Sequence, residues 1–346
     1  MQMGRFKLIF IMLFFALVLA ACSSSDEASG EAKESESTES EAGDGSEESN
    51  EPATIEVTDA HGTVTVPVNP ENVVALDNRT FETLADWDIE LAAVPKPIMS
   101  TDSPYVEDEN VEDVGNHGEP NLETIAAVDP ELVIVGQRFS GYYEDIKELV
   151  PNAAVIDLNI DVSEEADAGD NLVNGFKDTT LTLGQIFDKN EEAEELTAEL
   201  EQAIENAESA YNEEETVMSV IVSGGDIGFS APSTGRVWGP LYDMFGWTPA
   251  LEVEDASTDH QGDEISVEAI AQSNPDWLLV LDRDAPISSL TDKVPAQDVI
   301  DESPALQNTI AVKEEQIVYA PTDTYLNESI QTMIELFDNL ANSFAE

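Results

Sequence analysis

The sequence predicts an α/β protein of two Rossmann-like lobes joined by a single long backbone helix. Three observations lead to this prediction. Strand-like apolar runs alternate with helix-like segments in both halves of the chain, which is typical of lobes built on mostly parallel sheets. Residues 171–187 interrupt the alternation with helical spacing. Two stretches of 18 residues also share one pattern of residue types, NLETIAAVDPELVIVGQR (121–138) and SVEAIAQSNPDWLLVLDR (266–283).

Each copy of the repeated stretch reads as a helix, a turn and a buried strand. Its alignment pairs Ile125 with Ile270 in the helix, and Arg138 with Arg283 after the strand. A unit that recurs in this way indicates two similar lobes. We therefore expect an N-terminal lobe at 53–168, a connecting backbone helix at 169–189 and a C-terminal lobe at 190–346.

The elements of each lobe follow from local patterns. TIEVTDAHGTVTVP (54–67) alternates around a Gly-containing turn and predicts a β-hairpin. In the N-terminal lobe we further expect strands at 72–76, 90–95 and 153–158 and helices at 79–87 and 140–149. In the C-terminal lobe we expect helices at 190–213, 237–245 and 326–344 and strands at 217–222 and 316–321.

The first 21 residues are predicted to be a lipoprotein signal peptide. Basic residues precede an apolar run from Leu8 to Ala20, which is too short to span a bilayer comfortably. The following LAAC (19–22) resembles a lipobox, in which cleavage precedes the cysteine and lipid is attached to it; an ordinary signal with a chance cysteine is the alternative. Cys22 is the only cysteine, which excludes internal disulfides and Cys-based metal or redox sites.

Residues 22–52 are expected to form a disordered acidic tether, because they are rich in Ser and Glu and have almost no apolar residues. The folded part would then be held at the outer face of the cell membrane, as in a Gram-positive surface lipoprotein. The whole chain has 74 acidic residues against 13 Lys and Arg and a formal net charge of −61. Nucleic acid and anionic lipid surfaces are therefore poor partners, and an anionic ligand needs a local group of positively charged side chains.

Arginine is the informative residue type in so acidic a chain. After the tether there are four, Arg79, Arg138, Arg236 and Arg283. Two of them end predicted buried strands, where open α/β sheets bind ligands, and Arg236 lies in a Gly- and Pro-rich loop. Arginine suits the recognition of anionic oxygens, so the set favours an anion pocket. The alternative for each residue alone is a structural ion pair with one of the many carboxylates.

Other chemical motifs are weak or absent. The three histidines, His61, His117 and His260, are dispersed and give no metal-binding spacing, and we read His61 as a solvated turn residue. His260 is either a polar loop residue or a group that completes the coordination of a metal that arrives chelated. No phosphate-binding loop, dinucleotide fingerprint or nucleophile elbow is present, so the sequence supplies no catalytic constellation and no cofactor.

Four segments carry a resemblance to a known family: 77–96, 115–139, 235–247 and 274–287. Together with the LAAC motif and the tether, they make the chain similar to the iron–siderophore binding lipoproteins of ABC importers, which are built on a helical backbone. The likeness is greatest to the ferric-catecholate receptors, including petrobactin-type binders. The resemblance implies a shallow cleft between two lobes and a function in capturing a ferric siderophore and delivering it to a permease and its ATPase, with no catalysis.

The resemblance also implies roles for single residues. Arg138, Arg236 and Arg283 match the three arginines that hold the anionic complex in the catecholate branch. Arg79 stands where relatives often have a small residue, and it is either a fourth contact with the ligand or a departure toward a different ligand. His260 and Tyr325 match residues that complete the coordination of Fe(III) when the siderophore leaves two positions open. Glu123 and Asp243 match the carboxylates that dock the permease, with Glu268 as a rival to Asp243.

Several alternatives remain open at this stage. The ligand could be another iron chelate, of the hydroxamate or citrate type, or haem or cobalamin. A secreted α/β enzyme that acts on a siderophore is a further alternative, as is an adhesin, although an adhesin would not explain the repeat or its arginines. A monomer is expected.

Overall fold

The structure is a computed structural model that describes residues 53–163, 167–253, 260–287 and 289–345. The predicted signal peptide, Cys22 and the predicted tether lie outside the described residues. No helix among the described residues is long and apolar enough to cross a membrane.

The N-terminal part consists of a hairpin and a five-stranded sheet with helices. Its elements are β1 (Thr54–Asp59), β2 (Gly62–Pro67), β3 (Val73–Ala75), α1 (Phe81–Asp86), β4 (Ala93–Val94), α2 (Pro104–Glu107), β5 (Glu112–Asp113), α3 (Leu122–Ala127), β6 (Leu132–Val135), α4 (Tyr143–Leu149) and β7 (Ala154–Asp157). The hairpin strands pair antiparallel from Thr54 opposite Pro67 to Asp59 opposite Gly62. The sheet has the order β5-β4-β3-β6-β7, and all its pairs are parallel. Its central strands β3 and β6 are fully buried, as the unbroken apolar runs predict.

Two long helices follow the first sheet, α5 (Ala168–Ile186) and α6 (Asn190–Ala210). The buried side chains of α5 include Leu172, Phe176 and Leu183, which recur at helical spacing. A Cβ atom at Gly184 would lie 2.6 Å from the Cβ of Ala193, so this glycine allows the close turn from α5 into α6.

The C-terminal part contains the second sheet. Its elements are β8 (Thr216–Ser223), β9 (Asp226–Phe229), α7 (Gly239–Phe245), β10 (Thr248–Pro249), α8 (Val267–Ser273), β11 (Trp277–Asp282), α9 (Ala296–Glu302), α10 (Ile310–Lys313), β12 (Ile317–Tyr319), α11 (Thr324–Asn327) and α12 (Ile330–Phe344). The strand order is β10-β8-β11-β12 with parallel pairing, and β9 pairs antiparallel to β8. The two sheets, with the long helix α5 between them in the chain, confirm the predicted fold class.

The repeat noticed in the sequence has the same local structure in both lobes. The helices α3 and α8 are N-capped by Asn121 and Ser266, whose side chains accept a hydrogen bond from a backbone N–H of the first turn. The residues before the two prolines, Asp129 and Asn274, both have positive φ angles, of 47° and 51°. Each turn then leads into a buried central strand, β6 or β11, which ends just before the repeated arginine.

Candidate anion-binding site

The two lobes bring the predicted arginines together around one tyrosine. The guanidinium carbons of Arg236, Arg283 and Arg138 lie 4.7, 5.2 and 5.7 Å from the centroid of the Tyr325 ring. A cation within about 6 Å of an aromatic ring face is attracted by the ring, so the tyrosine helps to hold three like charges close together. We call these four residues the arginine cluster. Its members come from four separate segments of the chain.

Local structure explains how each arginine reaches the cluster. Arg138 and Arg283 follow the carboxyl ends of β6 and β11, the central strands of the two sheets. Arg236 lies in the turn between β9 and α7, where the next residue, Val237, has a φ angle of 65°. Nη2 of Arg138 donates to the carbonyl oxygen of Tyr325 at 2.9 Å, and Nη2 of Arg236 donates to the same oxygen at 3.3 Å. One backbone carbonyl therefore fixes two of the three guanidinium groups.

A buried carboxylate that the sequence analysis did not identify lies beside the cluster. Glu328 is 6% exposed, and its carboxylate accepts hydrogen bonds from Arg236 and, at 3.2 Å, from Nη2 of Arg79. Burial acts to raise the pKa of Glu328, but Arg236, Arg79 and Arg138 outweigh it and hold the pKa below its usual value. Glu328 is thus an internal counter-ion of the site.

Arg79 is buried and shares Glu328 with Arg236. It is 5% exposed and forms an ion pair with Glu328. Its backbone N–H donates to Oδ1 of Asp77, a fully buried carboxyl group that packs against Gly136. Burial raises the pKa of Asp77 to about 7, although the charge of Arg79 acts in the opposite direction. Arg79 therefore sits between two buried carboxyl groups.

Arg283 has a counter-ion of its own. Its Nη1 atom contacts Oδ1 of Asp284 at 2.9 Å and Oγ of Ser223 at 3.4 Å. The other carboxylate oxygen of Asp284 accepts from the backbone N–H of Gly224 at 2.6 Å. Burial and the neighbouring Arg236 both lower the pKa of Arg138, as expected where like charges are held together.

The three histidines are in different environments. His260 and His117 are both exposed. Partial burial of the ring lowers the pKa of His117, and the nearby Arg138, Arg236 and His260 lower it further. His61 is exposed in the hairpin turn, as predicted, and it also contacts the rest of the lobe. Its ring stacks on Tyr143 with centroids 3.7 Å apart, and its Nε2 lies 3.2 Å from Oδ2 of Asp157. The described residues contain no group of three or more His, Cys, Asp or Glu side chains that could hold a metal ion.

The carboxylates expected to dock a permease lie on helix surfaces. Glu123 and Glu268 are exposed in the first turns of α3 and α8, at matching positions of the repeat. Asp243 is exposed on α7. Each is accessible to a partner.

Comparisons with known proteins agree with this architecture. The model of the family described as Periplasmic binding protein matches residues 73–324. The petrobactin-binding protein YclQ of Bacillus subtilis is 29% identical over 343 residues, which cover 96% of this chain and 98% of that protein. The ferric-anguibactin-binding protein FatB of Vibrio anguillarum is 26% identical over 290 residues, 82% of this chain and 85% of that one.

A third relative has a different kind of ligand in its name. The Fe(3+)-citrate-binding protein YfmC of Bacillus subtilis is 25% identical over 327 residues, 91% of this chain and 89% of that protein. The crystal structure of YclQ superposes with a TM-score of 0.70 at 24% identity and covers 85% of this chain and 99% of that one, which supports the fold.

Proposed function

Because the chain belongs to the periplasmic binding protein family, we propose that it captures an anionic ferric siderophore, of the catecholate type, outside the cytoplasm and delivers it to an ABC permease and its ATPase. The family predicted from the sequence is confirmed, and it is a family of binding proteins, not of enzymes. One observation carries the proposal of an anionic ligand. Three arginines from both lobes surround Tyr325 in a chain whose formal net charge is −61.

The charges near the cluster fit an anionic chelate. Arg138, Arg236 and Arg283 offer only hydrogen-bond donors, and the nearby counter-ions are Glu328 and Asp284. A ferric complex of three catecholates carries roughly three negative charges, and guanidinium groups in a partly buried site bind such oxygens through charge-assisted hydrogen bonds. Relatives named for petrobactin and ferric anguibactin support a siderophore ligand, and the relative named for ferric citrate makes a citrate-type chelate the second candidate.

We further propose that His260 and Tyr325 complete the coordination of Fe(III) where the siderophore leaves positions open. The ring of Tyr325 lies at the centre of the cluster, and His260 is close enough to affect the pKa of His117 together with Arg138. An imidazole and a phenolate are suitable ligands for a metal that arrives already chelated.

Delivery requires an anchor and a docking surface. We propose that Cys22 carries the lipid, that residues 22–52 tether the two lobes (53–168 and 190–346) to the outer face of the cell membrane, and that the protein acts as a monomer. Glu123 and Asp243 are proposed to dock the permease, with Glu268 as the rival C-terminal contact, because all three carboxylates are exposed on helices.

The test uses residues 51–346, which form one compact unit, and their intrinsic tryptophan fluorescence, to which Trp238, a buried residue two positions after Arg236, contributes. We expect saturable quenching by a ferric catecholate and its loss when Arg138, Arg236 and Arg283 are changed together to Ala. Lys177→Ala, which removes an exposed ion pair with Glu201, is the matched control and should leave binding unchanged. Saturable binding of haem or cobalamin, without a response to any ferric siderophore, would contradict the proposal.

A further inference from the structure

A pocket lies at the boundary of the two lobes, where α1 and the segment 99–104 face the segment 323–327. Its volume is about 220 Å³, whereas one ordered water needs roughly 15 Å³, so a group of several heavy atoms fits. Among the described residues, its lining contains no Lys, Arg or His and four carboxylates: Glu82, Asp86, Asp102 and Asp323. We call it the acidic pocket, and its charge is opposite to that of the arginine cluster.

The carboxylates of the acidic pocket are not neutralised. None of the four forms an ion pair within the part of the chain that the structure describes. Burial raises the pKa of Glu82, and the charges of Asp323 and Asp86 also act to raise it, against the hydrogen bonds from Ser329 and Asn327. Removing a carboxylate from water is unfavourable, and neutral donors compensate for the loss only in part. A cation bound in the pocket therefore completes the interactions of Glu82.

Asn327 supplies a further atom that lacks a partner. This residue is 8% exposed, and its Nδ2 donates to Oε2 of Glu82 at 2.7 Å and to Oδ2 of Asp323 at 3.2 Å. The two carboxylates fix the orientation of the amide, because only its nitrogen can donate to them. The amide oxygen Oδ1 receives no hydrogen bond from a described residue and is not fully buried. Since Asn327 lines the pocket, this oxygen is an acceptor for a group bound there.

The lining selects an organic cation. Its carboxylates and the oxygen of Asn327 accept hydrogen bonds, and a primary ammonium group has three N–H donors. A single metal ion fits less well, because the described residues include no group of three or more His, Cys, Asp or Glu side chains that could hold one. Much of the remaining wall is apolar and includes Phe81, Met99 and Leu326. Such a wall matches methylene groups, as it does the stem of a lysine side chain.

The acidic pocket continues toward the arginine cluster. A groove of about 450 Å³ shares Asp323 with the pocket and is also lined by Ala285 and Lys293. Nζ of Lys293 donates to the carbonyl oxygen of Ala285 at 2.7 Å, which holds this ammonium group in the groove. Ala285 is two positions after Arg283, and Asp323 is two positions before Tyr325. Two residues of chain span at most about 7 Å, so an aliphatic arm of several carbon atoms reaches from the cluster into the pocket.

We propose that the acidic pocket binds a primary ammonium group carried on an aliphatic chain. The inference rests on the proposed function where it assigns the ammonium group to an arm of the siderophore, whose ferric centre then lies at the arginine cluster. The ligand then carries charges of both signs, and the protein has a site for each. A free aliphatic diamine has the same chemistry, and the experiment separates the two sources.

The first measurement is a calorimetric titration of the full chain, without iron and at low salt, with 1,5-diaminopentane. We expect saturable binding. Asp323→Asn removes one charge at nearly constant shape and should weaken binding about tenfold, because hydrogen bonds to charged groups are among the stronger ones. Asp102→Lys, at an exposed position of the lining, introduces a competing ammonium group and should abolish binding. Asp338→Asn removes an exposed carboxylate on α12, outside the lining, and should leave binding unchanged.

The second measurement compares the ferric complexes of two catechol chelators whose arms have equal length, one ending in an ammonium group and one in a hydroxyl group. The full chain should bind the ammonium chelate about tenfold more tightly, and Asp323→Asn should remove this preference. Saturable diamine binding supports the pocket even if no ferric chelate binds, so failure of the proposed function is distinguished from failure of the pocket.

Three outcomes would overturn the inference. The first is no diamine binding together with equal affinity for the two chelates. The second is diamine binding that Asp102→Lys leaves unchanged, since it would reflect only the overall negative charge of the chain. The third is displacement of the diamine by an equal concentration of Ca²⁺, which would assign the pocket to a metal ion.

Discussion

Glu328 is the residue whose replacement most directly tests the electrostatics of the site. Glu328→Gln keeps the shape of the side chain and removes the negative charge that lies between Arg79 and Arg236. An amide can accept a hydrogen bond from one guanidinium group, but its own N–H groups then face the other. Breaking a buried ion pair by neutralising one partner typically costs about 3 kcal/mol, so the free energy of unfolding should fall by about that amount.

The same replacement should strengthen binding of an anionic ligand. Two unit charges about 8 Å apart interact with about 2 kcal/mol at an effective dielectric constant of 20. Glu328 repels an anion at the arginine cluster with an energy of this order. Removing its charge should therefore raise the affinity for a ferric catecholate by about tenfold or more. Stability and affinity thus move in opposite directions, which an ordinary destabilising mutation does not produce.

The assays are urea unfolding of the ligand-free protein and fluorescence titration with the ferric catecholate. Glu82→Gln is the matched control, because Glu82 is a largely buried carboxyl whose hydrogen bonds come from Asn327 and Ser329, and neither donor is an arginine. It should alter stability without raising affinity. If Glu328→Gln weakened binding as strongly as Arg236→Ala does, Glu328 would serve to position the arginines, and the charge argument would be wrong.

Two further predictions concern pH and docking. Burial raises the pKa of Asp77 from 3.8 to about 7. Between these two pH values the folded protein keeps a proton on Asp77 that the unfolded chain has lost. As the pH rises from about 4 to 7, the free energy of unfolding should therefore fall, by about 4 kcal/mol at most. Asp77→Asn should flatten this part of the profile in urea unfolding, and an unchanged slope would show that Asp77 does not titrate there. Charge reversal at Glu123 and Asp243 to Lys should reduce siderophore uptake by cells and leave the affinity of the purified protein intact; if Glu268→Lys blocks uptake and Asp243→Lys does not, Glu268 is the C-terminal contact.

Much of the fold and part of the site could be predicted from the sequence, because the relevant signals are local. The repeat places Arg138 and Arg283 after two buried strands, and the carboxyl ends of central strands in open sheets define a crevice. The scarcity of arginine made the positions visible against the acidic background. These signals depend on residue type and short-range pattern, which the amino-acid sequence contains directly.

Glu328 could not be recognised in the same way. It is one of 74 acidic residues, and it is 249 positions from its partner Arg79. Its orientation depends on a left-handed backbone conformation, with a φ angle of 42° at the end of α11, which is uncommon for glutamate. The contacts of His61 could not be predicted for a related reason. The hairpin packs against β7, where Asp59 accepts from the backbone N–H of Asp157 at 2.9 Å, and this tertiary contact brings His61 onto Tyr143.

The segment 325–332 links the site to the contact between the lobes. It contains Tyr325 and Glu328, and it also forms hydrogen bonds or ion pairs with five N-terminal side chains: Asn78, Arg79, Glu82, Thr83 and Arg138. A wide opening of the lobes about α5 would break these contacts, one of which is the buried ion pair of Arg79 and Glu328. A ligand that draws Arg138 away from the carbonyl oxygen of Tyr325 removes one of them. We therefore expect ligand exchange to move the arginine side chains more than the lobes, and we expect the affinity of the site to depend on how firmly segment 325–332 holds those side chains before the ligand arrives.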